Sequence, residues 1–331
     1  MNPTTARLST RPQRIFLLGA TGTIGAATLA ALTGRGHQVV CFVRPGSTHP
    51  SVLPAGATLR FGQVTDPVSI AQDGFAGERF DAIVSCLASR SGTAQSAWAI
   101  DHKAHHDALA AGLQAGIRQM VLLSAICVQK PLLPFQQAKR AFEQELAASG
   151  LIWSIVRATA FFKSLSGQVE RIKRGKPFLL FGDGQGTACK PISNADLGAF
   201  LADCLENPAL QNRILPIGGP GPAITPRQQG EALFALLDRP PKFRQMPIGV
   251  LDAIIAVLTG LGHLSPHLKD KAGLARIGRY YATESMLVLN PQTGRYDSDA
   301  TPSYGTDLLF DHYARLLRGE GAEDLGAHAV F

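Results

Sequence analysis

Apolar and polar positions follow two different periods along the first two-thirds of the chain. Short, nearly continuous apolar runs recur, which is typical of strands buried on both faces of a parallel sheet. These runs cover residues 14–18, 39–43, 58–61, 82–86, 120–124 and 154–156. Longer stretches with helical spacing separate them, such as residues 98–115 and 136–148. Strands that alternate with helices predict an α/β fold: a Rossmann-type, doubly wound parallel sheet.

The pattern changes about half-way along the chain. Residues 181–187 are rich in turn formers and predict a hairpin, a helix is predicted over residues 195–205, and glycines and prolines over residues 218–222 lead into a mostly helical remainder. We therefore predict a Rossmann domain over residues 14–175. Residues 176–331 are predicted to form a smaller, mostly helical substrate-binding lobe with elements that return to the sheet.

Composition and charge exclude several classes of function. The net charge of +7 includes three arginines near the amino terminus, and the chain has no basic run with interleaved aromatics, so no nucleic-acid partner is expected. Residues 1–13 have no apolar core and are expected to form a disordered leader rather than a secretory signal. Five cysteines without a C-x-x-C pair predict no metal site and favour a reducing, cytoplasmic location.

One later segment, residues 247–264, is more apolar than the rest of the chain. Asp252, Gly260 and Gly262 interrupt it, and it is too short to span a bilayer. Two interpretations stay open: a core helix, or an exposed face that contacts a membrane surface or an apolar substrate. A peripheral membrane contact is therefore one expectation, while the oligomeric state is not predicted.

A glycine-rich turn directly after the first strand predicts the cofactor site. Gly19, Gly22 and Gly25 form a G-x-x-G-x-x-G pattern that opens a helix. In such a turn the glycines permit the sharp bend, the approach of backbone to a pyrophosphate and close packing of the helix. The expected cofactor-binding residues of this turn are Gly19, Ala20, Thr21, Gly22, Thr23, Ile24 and Gly25.

The ends of the following strands refine this prediction. An acid after the second strand is typical of NAD sites, whereas this chain has Arg44 there, whose guanidinium suits the 2′-phosphate of NADPH. The alternative is that Arg44 is a solvated loop residue. Further contacts are expected from Gln63 and Val64 on the adenine side and from Leu87, Ala88 and Ser89 on the nicotinamide side.

The candidate catalytic residues are a lysine and a serine. Many reductases of this fold carry a Tyr-x-x-x-Lys pair, in which the phenol protonates the carbonyl oxygen. Here Lys139 is preceded at that spacing by Phe135, and all five tyrosines lie at or after residue 280. Lys139 is expected to bind the nicotinamide ribose, and Ser124, at the end of the fifth strand, to orient substrate or cofactor. An ordinary carbonyl is therefore not the expected substrate.

Two other groups of residues are weaker candidates. Phe162, after the sixth strand, is expected to cover the nicotinamide, with core packing as the alternative. His102, His105 and His106 have i, i+3, i+4 spacing on a predicted helix, as in some metal sites. No third ligand is identifiable, so a solvated or capping role is favoured and no metal is predicted.

These motifs resemble the atypical short-chain dehydrogenases/reductases, a group that includes NmrA-like and isoflavone-reductase-like proteins. Nearly the whole chain resembles the divinyl chlorophyllide 8-vinyl reductase family more closely. The segments that carry this resemblance are residues 134–143 (PFQQAKRAFE), 157–168 (RATAFFKSLSGQ), 181–184 (FGDG), 190–192 (KPI), 280–291 (YYATESMLVLNP) and 301–305 (TPSYG).

The resemblance implies NADPH-dependent reduction of the C8 vinyl group of a divinyl chlorophyllide or protochlorophyllide to ethyl, in chlorophyll or bacteriochlorophyll synthesis. A conjugated vinyl group has no oxygen to protonate, which agrees with the missing tyrosine. It also implies a tetrapyrrole pocket formed by Phe135, Phe161, Tyr280, Tyr281 and Glu284. The alternatives are an NmrA-like NADP-binding redox regulator without catalysis and a reductase of another conjugated alkene.

Overall fold

The computed structural model of the protein describes residues 11–47, 53–91, 93–262 and 265–320. Residues 1–10 of the leader predicted over residues 1–13 lie outside the described residues. The strands are β1 (Arg14–Leu18), β2 (Gln38–Val43), β3 (Ala57–Phe61), β4 (Ala82–Ser85), β5 (Gln119–Ala125), β6 (Ile152–Ala158), β7 (Phe178–Phe181), β8 (Arg213–Ile217), β9 (Phe243–Met246), β10 (Val288–Leu289) and β11 (Tyr296–Asp297).

The helices differ widely in length. The α-helices are α1 (Thr23–Gly34), α2 (Pro67–Ser69), α3 (Ala94–Ala97), α4 (Ala104–Gln114), α5 (Pro134–Ala147), α6 (Phe162–Leu165), α7 (Val169–Lys173), α8 (Asn194–Glu206), α9 (Pro226–Ala235), α10 (Ile248–Leu261), α11 (Pro266–Thr283) and α12 (Leu309–Leu317). Two segments, Ile70–Phe75 and Trp98–Lys103, are π-helical. Ile126–Gln129 and Pro208–Leu210 are 3₁₀ turns.

Seven strands form one parallel sheet, in the order β3-β2-β1-β4-β5-β6-β8. The predicted doubly wound α/β fold is confirmed. The chain moves outward from β1 in one direction to β3 and then in the other direction from β4 to β8. The carboxyl ends of β1 and β4 therefore border the crevice where such sheets bind ligands.

Both faces of the sheet are covered, which explains the continuous apolar runs in the sequence. On one face, buried side chains such as Leu17, Val84 and Val156 pack with residues of α1 and α8. On the other face, Phe16 and Ile83 pack with the Ile70–Phe75 segment, α4 and α5. Alternate residues of one strand thus enter two cores, as the period of two in a strand requires.

Helices α1 and α8 approach each other very closely. A Cβ atom on Gly198 would lie 2.7 Å from the backbone carbonyl carbon of Ala27, so only glycine fits there. Near the end of α1, Arg35 forms ion pairs with Asp203 and Glu206 of α8. Although α8 lies beyond residue 175, it thus completes the layer over the sheet.

The residues after β6 build a second core. Buried side chains including Phe162, Phe178, Phe234 and Tyr313 form this cluster. The hairpin predicted over residues 181–187 is wrong, because β7, which ends at Phe181, pairs in parallel with β9, more than 60 residues later. β8 adds to the main sheet beside β6. The division of the chain at residue 175 into a cofactor domain and a substrate lobe stays a prediction.

Helix α10 lies on the surface, so the core-helix interpretation of this segment is wrong. Leu251 is its one buried residue, whereas Val250, Ile254, Val257 and Leu261 are 36–60% exposed. These four side chains follow i, i+4, i+7 and i+11 spacing and form one stripe. Among the described residues, no helix has both the length and the apolar character needed to cross a bilayer.

Candidate active site

The glycine turn after β1 is shaped by close contacts that exclude side chains. Gly19 has φ of +79°, and a Cβ there would lie 2.6 Å from the backbone of Cys86, just after β4. A Cβ on Gly25 would lie 2.0 Å from the carbonyl oxygen of Gly19, so α1 packs directly on the turn. This is the cradle that the motif predicts, and its geometry fits a dinucleotide pyrophosphate.

The amino terminus of α1 is available to an anion. Gly22 occupies the N-cap position and has no side chain to bond the first amides, and the first turn contains no acid. Helix N-termini carry a partial positive charge. The ammonium group of Lys163 in α6 also lies at this N-terminus, where it donates to the hydroxyl of Thr23 at 3.1 Å. Among the described residues no carboxylate pairs with Lys163, so its charge adds to the partial positive charge of the α1 N-terminus.

Arg44 stands exposed immediately after β2, on the adenosine side of the turn. The guanidinium of Arg60, on the adjacent strand β3, pairs with Glu78 and donates to the carbonyl oxygens of Gly74 and Phe75. The exposed position of Arg44 leaves its guanidinium accessible, and its contact with a 2′-phosphate stays a prediction.

The two residues predicted on the adenine side differ in their exposure. Gln63 is exposed after β3, and its contact with the adenine stays a prediction. Val64 is 6% exposed and its side chain packs in the core, so that side chain does not face a ligand.

Lys139 is buried and anchored by a carboxylate that the sequence did not single out. Its Nζ lies 3.0 Å from Oδ1 of Asp101, and the two residues are 8% and 1% exposed. Asp101 also accepts hydrogen bonds from the amide of Ser89, at 3.3 Å, and from its hydroxyl, at 2.5 Å. One carboxylate thus joins the loop after β4 to α5. The predicted nicotinamide-side residues Leu87, Ala88 and Ser89 belong to that loop.

His105 lies behind this ion pair and is not solvated, so the expected solvated role is wrong for it. Its Nδ1 donates to the carbonyl oxygen of Ile100 at 3.0 Å, which leaves Nε2 to accept from the hydroxyl of Ser85 at 2.7 Å. Burial, with a smaller contribution from Lys139, lowers the pKa of His105 to about 4. The imidazole is therefore neutral and supports the end of β4.

The other two histidines face away from the site. His102 and His106 both contact the carboxylate of Glu145 on α5, at 3.5 and 2.5 Å. No group of three metal-ligating side chains occurs among the described residues.

Ser124, near the end of β5, has the geometry expected of a ligand-binding side chain. It is 3% exposed, and its hydroxyl has no hydrogen-bond partner within the described structure. A buried polar atom without a partner is costly unless a ligand or water satisfies it. Nearby, the amide nitrogen of the fully buried Gln136 is also unpartnered, although its oxygen accepts from the amide of Leu133.

The three phenylalanines predicted at the site lie in different environments. Phe135, in the first turn of α5, and Phe161, just after β6, are partly buried. Phe162 is 2% exposed and packs in the second core, where its ring lies 5.4 Å from that of His312. The ring of Phe162 therefore serves packing, which corrects its prediction as a side-chain contact of the nicotinamide. The roles predicted for Phe135 and Phe161 stay predictions.

The predicted substrate residues of the second lobe meet the segment that follows β5. Glu284 accepts from Lys130 at 2.5 Å and from the hydroxyl of Tyr296 at 2.7 Å. Tyr280 donates to the carbonyl oxygens of Cys127 and Lys130, at 3.1 and 3.2 Å.

Tyr281 lies beside the same segment. Its hydroxyl is 3.8 Å from Sγ of Cys127. The structure thus brings Tyr280, Tyr281 and Glu284 together at the carboxyl edge of β5, as the prediction of a shared pocket requires.

Comparison with known proteins agrees with this geometry. The sequence model of a family described as NAD(P)H-binding matches residues 19–208. The chain is 47% identical to divinyl chlorophyllide a 8-vinyl-reductase, chloroplastic, of Zea mays, over 96% of this chain and 82% of that protein. It is 45% identical to the protein of the same name in Arabidopsis thaliana, over 98% of this chain and 82% of that one.

The chain belongs to the divinyl chlorophyllide a 8-vinyl-reductase family. Among solved structures, the NADPH complex of an NADPH-dependent quinone oxidoreductase from Escherichia coli superposes with a TM-score of 0.67, over 91% of this chain and 99% of that one. At 18% identity this likeness shows a common fold.

Two residues that belong to this reductase site escaped sequence reasoning. Asp101 lies in the π-helical segment before α4 and is paired in space with Lys139, 38 positions later. Lys163 lies in a four-residue helix and reaches α1, 140 positions earlier. Neither contact follows a local spacing rule. A sequence signal existed for Asp101, an ionisable residue that directly follows the apolar residues 97–100.

We expect Lys163 to be a phosphate ligand of this reductase. Replacing it in the Lys163→Met variant removes a cation beside the α1 N-terminus and should weaken NADPH binding about 10-fold or more, because charge-assisted hydrogen bonds contribute about 1.5–3 kcal/mol. Titration of nicotinamide fluorescence gives the dissociation constant directly. The dependence of binding on salt concentration should also become less steep.

Lys176→Met is the matched control, because it removes the same charge from an exposed lysine at the end of the α7 region. Its affinity for NADPH should equal that of the unmodified protein. Equal affinities for both variants would remove Lys163 from the phosphate site.

Proposed function

We propose that this protein is an oxidoreductase that uses NADPH to reduce the C8 vinyl group of divinyl chlorophyllide, or of the corresponding protochlorophyllide, to an ethyl group. The observation that carries the proposal is the sequence identity with plant vinyl reductases over almost the entire chain. The glycine cradle, the exposed Arg44 and the anchored Lys139 support it, because they supply a nucleotide site without a phenol at position 135.

Each part of the site then has a role. NADPH, when bound, supplies the hydride. The backbone of the glycine turn and Lys163 hold the pyrophosphate, and Arg44 selects the 2′-phosphate. Lys139, fixed by Asp101, presents its remaining N–H groups to the nicotinamide ribose. The hydroxyl of Ser124 provides a second point of orientation.

The tetrapyrrole pocket is expected between α5 and the second lobe. Phe135 and Phe161 supply flat apolar walls for the macrocycle, and water is excluded where the hydride arrives. A carbonyl reductase needs a hydroxyl at position 135, whereas a vinyl group accepts hydride at carbon. A phenylalanine at this position therefore suits the alkene and does not suit a ketone.

A regulator without catalysis is the candidate from another class of function. Such a protein needs the nucleotide cradle but gains nothing from a buried Lys139–Asp101 ion pair beside an unpartnered Ser124. Burial of two charges carries a desolvation cost, so their retention at the nicotinamide side favours an enzyme.

The purified protein should convert divinyl chlorophyllide a in the dark with NADPH, and the Soret band should shift as the conjugated vinyl group is lost. The Arg44→Asp variant should lower the preference for NADPH over NADH by at least about 10-fold, since it replaces the cation that meets the 2′-phosphate. Initial rates with both cofactors measure this preference.

Arg174→Asp changes another exposed arginine in the same way and should leave the preference unaltered. A Soret band that stays in place while NADPH still binds would favour the regulator. An unchanged cofactor preference in Arg44→Asp would refute the role of Arg44 alone.

We also propose that α10 holds the protein at a membrane surface. Its exposed apolar stripe is continuous over about three turns, and the helix packs against α11, which exposes Lys269, Lys271 and Arg276. An apolar face beside cationic side chains is typical of helices that lie in the interface of anionic bilayers. Contact with a photosynthetic membrane would place the enzyme near its poorly soluble substrate.

Vesicle flotation tests this contact. The protein should float with vesicles that contain anionic phosphatidylglycerol, and the Val257→Asp variant should bind at least about 10-fold more weakly, because a charge replaces a side chain that is 60% exposed. Leu113→Asp alters an equally apolar, 46% exposed residue of α4 and should bind like the unmodified protein. Equal flotation of both variants would contradict the assignment of α10.

A further inference from the structure

The hydroxyl groups of the five tyrosines differ in how their protons are used. All five residues lie in the described part of the chain. Four of the hydroxyls donate to an oxygen atom: Tyr280 to the carbonyls of Cys127 and Lys130, Tyr296 to Glu284, Tyr304 to Asp203 and Tyr313 to the carbonyl of Leu165. These protons are committed to structural bonds.

Tyr281 is the exception. Its hydroxyl has a single polar neighbour in the described structure, Sγ of Cys127 at 3.8 Å, and sulfur is a weak acceptor. The residue is partly exposed, and no oxygen or nitrogen atom of the described residues accepts the proton of its hydroxyl. Its proton is therefore available in a way that the other four are not.

The phenol of Tyr281 also lies on the side of the molecule where the reaction takes place. Cys127 is 2% exposed in the turn directly after β5, three residues beyond Ser124. Burial raises the pKa of the Cys127 thiol, and the charge of the Lys139 ammonium opposes this shift only in part. Cys127 thus neighbours Tyr281 of α11 and lies within electrostatic range of Lys139 of α5.

The other acidic groups near the site are less suited to give up a proton. Both oxygens of Glu284 accept hydrogen bonds, and the Nδ1 proton of His105 is donated to a backbone carbonyl. Lys139 is held by Asp101. The alcohol of Ser124 is a far weaker acid than a phenol, whose usual pKa is about 10.

We propose that Tyr281 is the catalytic proton donor, supplied by the second lobe in place of the phenol that position 135 lacks. The inference rests on the proposed vinyl reduction. The vinyl C=C bond gains hydride from NADPH at its terminal carbon, and NADP⁺ is formed. The electron pair of the broken π bond is then delocalised into the macrocycle.

The proton of Tyr281 next forms a C–H bond at the inner vinyl carbon. This step leaves an ethyl group and a tyrosinate, which takes a proton from solvent before the next turnover. Hydride and proton together account for both hydrogen atoms of the product.

The environment of Tyr281 keeps its proton in place until it is needed. Burial, and secondarily Cys127, raises the pKa of the Tyr281 phenol well above its usual value of about 10. The phenol therefore stays protonated throughout the working range of the enzyme. A delocalised carbanion is a much stronger base than a phenolate, so transfer remains downhill.

The test is dark turnover of divinyl chlorophyllide a with NADPH by the Tyr281→Phe variant. Loss of a general acid costs about 100-fold or more in rate, so we expect turnover to fall by at least that factor. The dissociation constant for NADPH should stay within about twofold, since the phenol does not contact the nucleotide. Residual product formed in D₂O should have lost the stereochemical preference for deuterium at the inner carbon, because solvent then replaces a donor fixed on one face.

Two control variants separate this role from others. Tyr304→Phe removes the same hydroxyl at the far end of α1 and α8, where Asp203 keeps its pair with Arg35, so turnover should be normal. Cys127→Ala keeps the phenol and should lower turnover less than about 10-fold. Normal turnover by Tyr281→Phe, or a larger loss in Cys127→Ala than in Tyr281→Phe, would overturn the proposal. Absence of turnover in the unmodified protein would instead refute the vinyl reduction itself.

Discussion

The buried ion pair between Lys139 and Asp101 is the interaction on which the arrangement of the site depends. It joins α5 to the π-helical segment before α4, and Asp101 extends the connection through two hydrogen bonds to Ser89 after β4. Loss of one partner would leave a buried charge unpaired, which costs about 3–5 kcal/mol. The lysine is therefore held in one place before any ligand arrives, as a positioning residue should be.

The position of α5 also places Phe135 and Gln136 relative to the segment that follows β5. Phe135 lies one turn before Lys139 on the same helix, and Gln136 faces the segment after β5. Tyr280 of the second lobe donates to the carbonyl oxygen of Cys127 in this segment. Gln129 of the segment in turn bonds the backbone of residues 287 and 289. The segment after β5 thus connects the surroundings of Lys139 with those of Tyr280 and Tyr281 in α11.

Those parts of the fold that depend on local periodicity were predictable from the sequence. The strands, the glycine turn and helix α5 follow from apolar spacing and from the conformational demands on Gly19 and Gly25. Contacts between distant residues were not. The parallel pairing of β7 with β9, the surface position of α10 and the partner of Lys139 are set by tertiary packing, which spacing along the chain does not report.

In the candidate site, too, local patterns were predictable from the sequence and tertiary contacts were not. Lys139 and Ser124 were identified by their place relative to strands and helices, and burial now explains why each would matter. The sequence favours a solvated or capping role for His105, whereas its imidazole forms a buried hydrogen bond with the hydroxyl of Ser85. Phe162 was assigned to the nicotinamide because it follows a strand end, although the helix it begins turns the ring into the second core.

Hydride delivery to carbon, at a site whose usual phenol is replaced by Phe135, fixes the origin of the hydrogen atoms in the new ethyl group. This origin is measured by mass and NMR analysis of the product formed from divinyl chlorophyllide a and NADPH that carries two deuterium atoms at C4 of the nicotinamide. We expect one deuterium per product molecule, in the methyl group of the new ethyl substituent. Deuterium at the inner carbon, or a product without deuterium from NADPH, would rule out hydride delivery to the terminal carbon.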